Sequence, residues 1–143
     1  MPRVYTYLRS AIEEPDTDAN PRAALDGWLA RYADHQLRGA YQDRGVSGLT
    51  PPEQRPGFKA LLTAVSQETG DLVLLVPAFH HVSRRAGVLQ EVRRKLALCG
   101  VRLLTSESPP DDGLGEQRLV EGVLSAIQDY HRSLRRSRRR ARA

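Results

Sequence analysis

Five consecutive large apolar residues, Leu72-Val73-Leu74-Leu75-Val76, stand between Asp71 and Pro77 in this chain of 143 residues. A strand with one face in water alternates apolar and polar residues, so a continuous apolar run favours a strand that is covered on both faces. Such strands belong to parallel sheets with helices on each side. The run therefore predicts the middle of a parallel sheet.

The segments around this run alternate between strand and helix patterns. Apolar and β-branched residues predict three more short strands, of which the second is weak: Val4–Leu8, Ala40–Gln42 and Val101–Thr105. Apolar residues at helical spacing predict four helices, one after Pro21, one from Pro56 to about Glu68, one from about Val88 to Gly100, and one from about Leu114. Residues 13–21 and 43–52 are rich in turn-forming residues and are predicted loops. The order predicts an α/β fold with a mostly parallel four-stranded sheet, helices on both faces and a long C-terminal helix.

Length and composition favour one cytoplasmic, soluble domain. We predict a globular domain over residues 1–131 and a basic tail over residues 132–143. The single cysteine, Cys99, excludes a disulfide framework and is expected to be a small buried residue. No segment approaches the length of a membrane span, so no membrane contact is predicted. No cofactor and no metal are predicted.

The net positive charge of the chain comes from its last twelve residues. Seven arginines and no acids occur there, while the first 131 residues carry 15 basic against 17 acidic groups, a net charge of −2. Clustered arginines bind phosphates with release of counterions, which predicts salt-sensitive contact with the DNA backbone. A disordered basic end that aids solubility is the alternative. The predicted DNA-binding residues are Arg132, Arg135, Arg136, Arg138, Arg139, Arg140 and Arg142.

The final helical pattern changes character along its length. Leu119, Val123 and Ile127 form an apolar stripe, which gives way to arginine after Leu134. A helix of this kind is expected to pack against a partner with its first half and to lie along a charged polymer with its second. A homo-oligomer formed through this helix is therefore predicted.

Several motifs in order resemble the catalytic domain of the serine recombinases, the resolvase and invertase family. They are Tyr7-Leu8-Arg9, Asp43-Arg44-Gly45-Val46-Ser47-Gly48, Arg55-Pro56-Gly57-Phe58, the apolar strand leading to Ser83-Arg84, and Gly100-Val101-Arg102-Leu103 before a long helix. The resemblance covers nearly the whole chain. It implies a serine that attacks a DNA phosphodiester, arginines that neutralise the phosphate, and dimers that assemble into tetramers through the long helix. Fixed positive charge is what such phosphoryl transfer needs most.

The first motif departs from the family at the nucleophile. This chain retains the family's arginine as Arg9, but Ala11 stands where the family has its nucleophilic serine. Ser10 stands one place earlier, and one place along a strand moves a side chain to the opposite face. Ser10 could replace the missing nucleophile only if the strand ends before it and the loop turns its hydroxyl towards Arg9.

The other site residues that the resemblance implies are partly present. Asp43 matches the family's acid and Arg55 its phosphate-binding arginine, and Arg84 is also retained. His80 and His81 replace an acid and an arginine, so a proton-transfer candidate and a fixed charge are lost.

Structural roles compete with functional ones for several of these residues. The two histidines point apart in extended chain and lack further ligands at suitable spacing, so they do not predict a metal site. Ser47 and Ser83 are ordinary turn or cap residues in the simpler interpretation. Arg9, Arg55 and Arg84 could likewise be surface or paired charges.

The sequence thus predicts a recombinase-like domain that binds DNA or a recombinase-like partner and is impaired in catalysis. One alternative is an active site-specific recombinase that uses Ser10 as nucleophile and joins DNA through phosphoserine. The other is a dimerisation module without enzymatic activity or DNA binding.

Overall fold

A parallel sheet of four strands organises the domain in a computed structural model, which describes residues 1–11 and 19–111. The strands are β1 (Arg3–Ser10), β2 (Gln36–Arg44), β3 (Leu72–Val76) and β4 (Val101–Thr105), in the spatial order β2-β1-β3-β4. All neighbouring pairs are parallel. Every residue of β3 is buried, as its apolar run predicts. The predicted α/β class and parallel four-stranded sheet are confirmed.

Within the described residues, three α-helices cover the two faces of this sheet. They are α1 (Ala19–Arg31), α2 (Pro56–Ser66) and α3 (Ala86–Leu98), and two short 3₁₀ helices cover Pro52–Gln54 and Phe79–His81. The side chains of α2 and α3 pack on the face that carries Tyr5 and Tyr7, whereas α1 packs on the face that carries Val4 and Leu8. The predicted long C-terminal helix and the basic tail lie outside the described residues.

Strand β2 is three times longer than the sequence predicts. Asp43 lies opposite Arg9 of β1, and Arg44 lies opposite Ser10. Asp43 and Arg44 therefore belong to β2, and their prediction as loop residues is wrong. Strand β2 is an edge strand whose first residues are mostly exposed, and its polar sequence therefore lacks the apolar signal of a buried strand.

Two smaller expectations are also wrong. Helix α1 begins at Ala19, so Pro21 lies inside its first turn, where a missing N–H is still tolerated. Cys99 is exposed, because it follows the last residue of α3 and caps the helix at the surface. Within residues 1–11 and 19–111, no helix has the length and apolar character that a membrane span requires.

Candidate active site

Arg9 lies near the carboxyl end of β1, where the loops after β2 and β3 meet. Its Nη1 donates to the Val46 carbonyl at 3.1 Å, and its guanidinium packs against Gly48, where an added Cβ would stand 3.3 Å from Cζ. Burial, with the charges of Arg55 and Arg84, lowers the pKa of Arg9. The three arginines that the resemblance implies therefore share one electrostatic environment.

Arg55 is the largest fully buried side chain among the described residues, with no exposed surface. Its Nε donates to the Thr50 carbonyl at 3.1 Å and its Nη1 donates to the His81 carbonyl at 2.9 Å. A longer contact of 3.5 Å joins Nη2 to the Gly48 carbonyl. Arg55 thus joins the loop after β2 to the 3₁₀ helix after β3, and it contributes positive charge to the site from below the surface.

Asp43 is buried and accepts three hydrogen bonds. Its Oδ1 accepts from the Gly57 N–H at 2.7 Å, and its Oδ2 accepts from the Phe58 N–H at 3.0 Å and from the Tyr7 hydroxyl at 2.8 Å. The two N–H groups open α2, where a carboxylate is favoured by unpaired donors and by the helix dipole. Burial and the Asp43 carboxylate raise the pKa of Tyr7 well above its ordinary value. Asp43 therefore fixes the start of α2 against β1 and β2.

Gly57 makes this close approach possible. A Cβ at this position would stand 2.4 Å from the Gln42 carbonyl oxygen and 2.9 Å from each Asp43 carboxylate oxygen. Any side chain would therefore push α2 away from the end of β2. Since Arg55 immediately precedes α2, the close approach at Gly57 also positions the backbone of Arg55.

The histidines that replace the family's acid and arginine have unequal environments. His81 is buried, and its Nδ1 accepts a hydrogen bond from the Arg9 backbone N–H at 3.0 Å. His80 is exposed, and its ring lies 4.8 Å from the His81 ring, centroid to centroid. Burial, together with the charges of Arg84 and Arg9, lowers the pKa of His80. His81 is therefore a structural link between β1 and the 3₁₀ helix, whereas His80 faces solvent beside two arginines.

The two serines near these arginines have turn geometry. Ser83 Oγ accepts from the Arg85 N–H at 3.1 Å, and Ser47 Oγ accepts from the Leu49 N–H at 3.1 Å. These contacts to the backbone two residues on match the turn interpretation of both serines. Arg84 follows Ser83 at the surface and is exposed.

Ser10 is the last residue of β1 and pairs with Arg44 of β2. Since side chains alternate along a strand, Ser10 continues the face of Val4, Thr6 and Leu8, opposite to that of Arg9. Ala11 follows in an exposed bend. The strand thus extends through Ser10, and the early end that would turn its hydroxyl towards Arg9 is not observed.

The structure brings Arg9, Arg55, Asp43 and Arg84 to one end of the sheet, together with the two adjacent histidines. His35 lies elsewhere, with its ring against Trp28 and its Nδ1 2.9 Å from an Asp34 carboxylate oxygen. No group of three metal-ligating side chains occurs within the described ranges. The seven tail arginines predicted to bind DNA lie outside those ranges.

Sequence reasoning missed two connections at this site. The bond from the Arg9 backbone to His81 spans 72 positions, and that from Tyr7 to Asp43 spans 36. The Tyr7 link had a possible signal, because a tyrosine inside an apolar strand needs a buried partner for its hydroxyl. The His81 link had no local signal.

Comparison with known proteins gives matches along the whole domain. Residues 4–143 match the family described as Resolvase, N terminal domain. No curated protein matches the sequence. A resolvase family site-specific recombinase from Streptococcus pneumoniae has a similar fold, with a TM-score of 0.63, 16% identity and full coverage of both chains. The N-terminal catalytic domain of TP901-1 integrase gives a TM-score of 0.63 and 21% identity, covering 92% of this chain and 98% of the integrase domain.

Proposed function

The chain belongs to the resolvase family of serine recombinases, and from that premise we propose that it binds DNA through phosphate contacts without cleaving it. The position of Ser10 carries this proposal: it is a strand residue paired with Arg44, and Ala11 occupies the family's nucleophile position. Phosphoserine formation needs a hydroxyl in line with phosphorus and beside the arginines. A hydroxyl on the opposite face of β1 does not meet that condition.

The arginines support the DNA-binding part of the proposal. Arg84 is exposed and Arg9 is partly exposed, so both can reach a phosphate at the surface, while Arg55 adds charge from beneath. The tail arginines would add contacts that are independent of DNA sequence. Serine recombinases assemble as oligomers on DNA, and we propose that this chain does so through its last helix.

A covalent-adduct assay tests the absence of cleavage. The full chain is incubated with nicked duplexes that trap phosphoserine, beside an active recombinase on its own substrate, and adducts are resolved on denaturing gels. We expect no adduct from the wild-type chain. An adduct that disappears in Ser10→Ala would overturn the proposal and establish Ser10 as the nucleophile.

The variant Ala11→Ser sharpens this assay. It places a hydroxyl at the family's nucleophile position while Arg9, Arg55 and Arg84 stay in place. An adduct from this variant alone would support the view that the nucleophile is the missing component.

A salt titration of duplex binding tests the phosphate contacts. Arg84→Gln should weaken binding and reduce the salt dependence, because each lost phosphate contact lowers the slope by about 0.9 in log–log terms. Arg31→Gln is the matched control, since Arg31 is also exposed but lies at the end of α1. Removal of residues 132–143 should reduce both affinity and slope further. Unchanged affinity and slope in both Arg84→Gln and the truncated chain would favour a dimerisation module that does not bind DNA.

A further inference from the structure

His80 is an exposed imidazole at the edge of the arginine site. It belongs to the 3₁₀ helix Phe79–His81, which is held in place by two contacts of its neighbour His81. The His81 ring accepts from the Arg9 backbone, and the His81 carbonyl accepts from Arg55. The backbone beside His80 is thus fixed relative to both arginines.

Arg9 lies close to His80 in the described part of the chain, because its backbone N–H donates to the ring of the adjacent His81. Burial, together with the charges of Arg84 and Arg9, lowers the pKa of His80. The neutral His81 ring lies beside it, and Arg93 of α3 lies over the ring of neighbouring Phe79 at 5.3 Å. Burial and these charges therefore favour the neutral form of the His80 ring when the site holds no anion.

A bound phosphodiester would reverse this balance. Its negative charge offsets the arginines, and its oxygens accept hydrogen bonds, so the charged imidazolium becomes the favoured form. Any ligand that favours one protonation state takes up or releases a proton on binding.

We propose that His80 is a phosphate ligand of this site and that a proton enters its ring when a DNA phosphodiester binds between Arg9 and Arg84. This inference rests on the proposed DNA binding. The proton comes from solvent, and no bond of the DNA is broken. DNA binding then strengthens as pH falls, by at most about tenfold per pH unit for a single proton.

Nuclear magnetic resonance titration of the histidine rings tests the proposal on the full chain. Ring signals are followed from about pH 5 to about pH 8 with and without a duplex of about 20 base pairs, and the His80 signal is identified by its loss in His80→Gln. The titration midpoint of His80 should lie below 6.5 without DNA and should rise by at least about half a pH unit with DNA. A midpoint that DNA leaves unchanged would overturn the inference.

Duplex affinity against pH gives a second readout. Wild-type affinity should rise several-fold between about pH 7.5 and about pH 6, and His80→Gln should abolish this rise while circular dichroism shows an intact fold. His131→Gln is the matched control, since His131 adjoins the arginine tail in sequence, and it should retain the rise. A rise that survives in His80→Gln and vanishes in His131→Gln would assign the proton to the tail and refute the proposal.

The two proposals fail in different ways in these experiments. Absence of duplex binding at every pH would reject the proposed DNA binding and the role of His80 together. Duplex binding with no response at His80 would reject the role of His80 alone.

Discussion

Replacing Gly57 with alanine should destabilise the domain, although alanine is normally the better helix residue. The new Cβ would stand 2.4 Å from the Gln42 carbonyl oxygen, roughly 1 Å shorter than the closest carbon–oxygen contacts between backbones, about 3.3 Å. Helix α2 must move away by a similar distance. The hydrogen bonds that the Gly57 and Phe58 N–H groups donate to the Asp43 carboxylate, at 2.7 and 3.0 Å, would then lengthen or break.

The size of the effect follows from three contributions. Overpacking costs about 1–3 kcal/mol, and loss of the carboxylate cap costs about 0.5–2 kcal/mol. Alanine in place of glycine returns about 0.5–1 kcal/mol. We expect Gly57→Ala to lower the free energy of unfolding by about 2–3 kcal/mol, which corresponds to a fall in Tm of about 5–10 °C in a domain of this size.

Gly87 provides a matched control for this prediction. It is also the second residue of its helix, α3, but no atom lies within 4 Å of a Cβ built there. Gly87→Ala should therefore leave stability unchanged or raise it by about 0.5 kcal/mol. Urea unfolding of both variants measures the difference, and equal stabilities would refute the argument that α2 needs glycine to approach β2.

Three further substitutions probe the buried polar groups. Asp43→Asn keeps the side-chain volume but places an amide N–H group opposite N–H or O–H donors. Urea unfolding should show that the free energy of unfolding falls by about 1–3 kcal/mol. A variant as stable as the wild type would contradict the capping role of Asp43. Arg55→Met leaves three backbone carbonyl groups without their donor, and the free energy of unfolding should fall by about 2–4 kcal/mol in the same assay. Unchanged stability would mean that these contacts are dispensable. Burial and the Glu68 carboxylate raise the pKa of Tyr5 from 10.0 to about 12. The folded state therefore holds this proton more tightly, and its contribution to stability is complete below about pH 10 and is lost as pH rises towards about 12. Ultraviolet absorbance of tyrosinate should show a step near pH 12 that Tyr5→Phe lacks, and an unchanged titration would contradict the assignment.

The parts of the fold that the sequence predicted are those with a local signal. The continuous apolar run predicted that β3 is buried, and all of its residues are buried. Phe58, Leu61 and Val65 recur at helical spacing, which predicts one apolar face of α2, and all three are buried. Strand β2 was underestimated because an edge strand forms through pairing with its neighbour, and Gln36 to Gly39 contain little apolar surface.

The site was predicted less completely, because its contacts join distant parts of the chain. Arginine is rarely fully buried, and nothing near Arg55 in the sequence indicates that three backbone carbonyls surround it. Asp43 reaches the start of α2 across 14 positions, and no residue pattern reports that distance. The family resemblance supplied the candidate site residues, whereas the structure was needed to assign their hydrogen-bond partners.

The burial of Arg55 has a consequence for how relatives of this domain are judged. Its guanidinium donates to carbonyl groups in the loop after β2 and in the 3₁₀ helix after β3, so the fold uses this arginine whether or not the domain cleaves DNA. Counting it as a surviving catalytic residue would overstate the activity of a degenerate homologue. Arg84 is exposed, so if the proposed DNA binding is correct, its retention in a relative is a better indication of phosphate contact than the retention of Arg55.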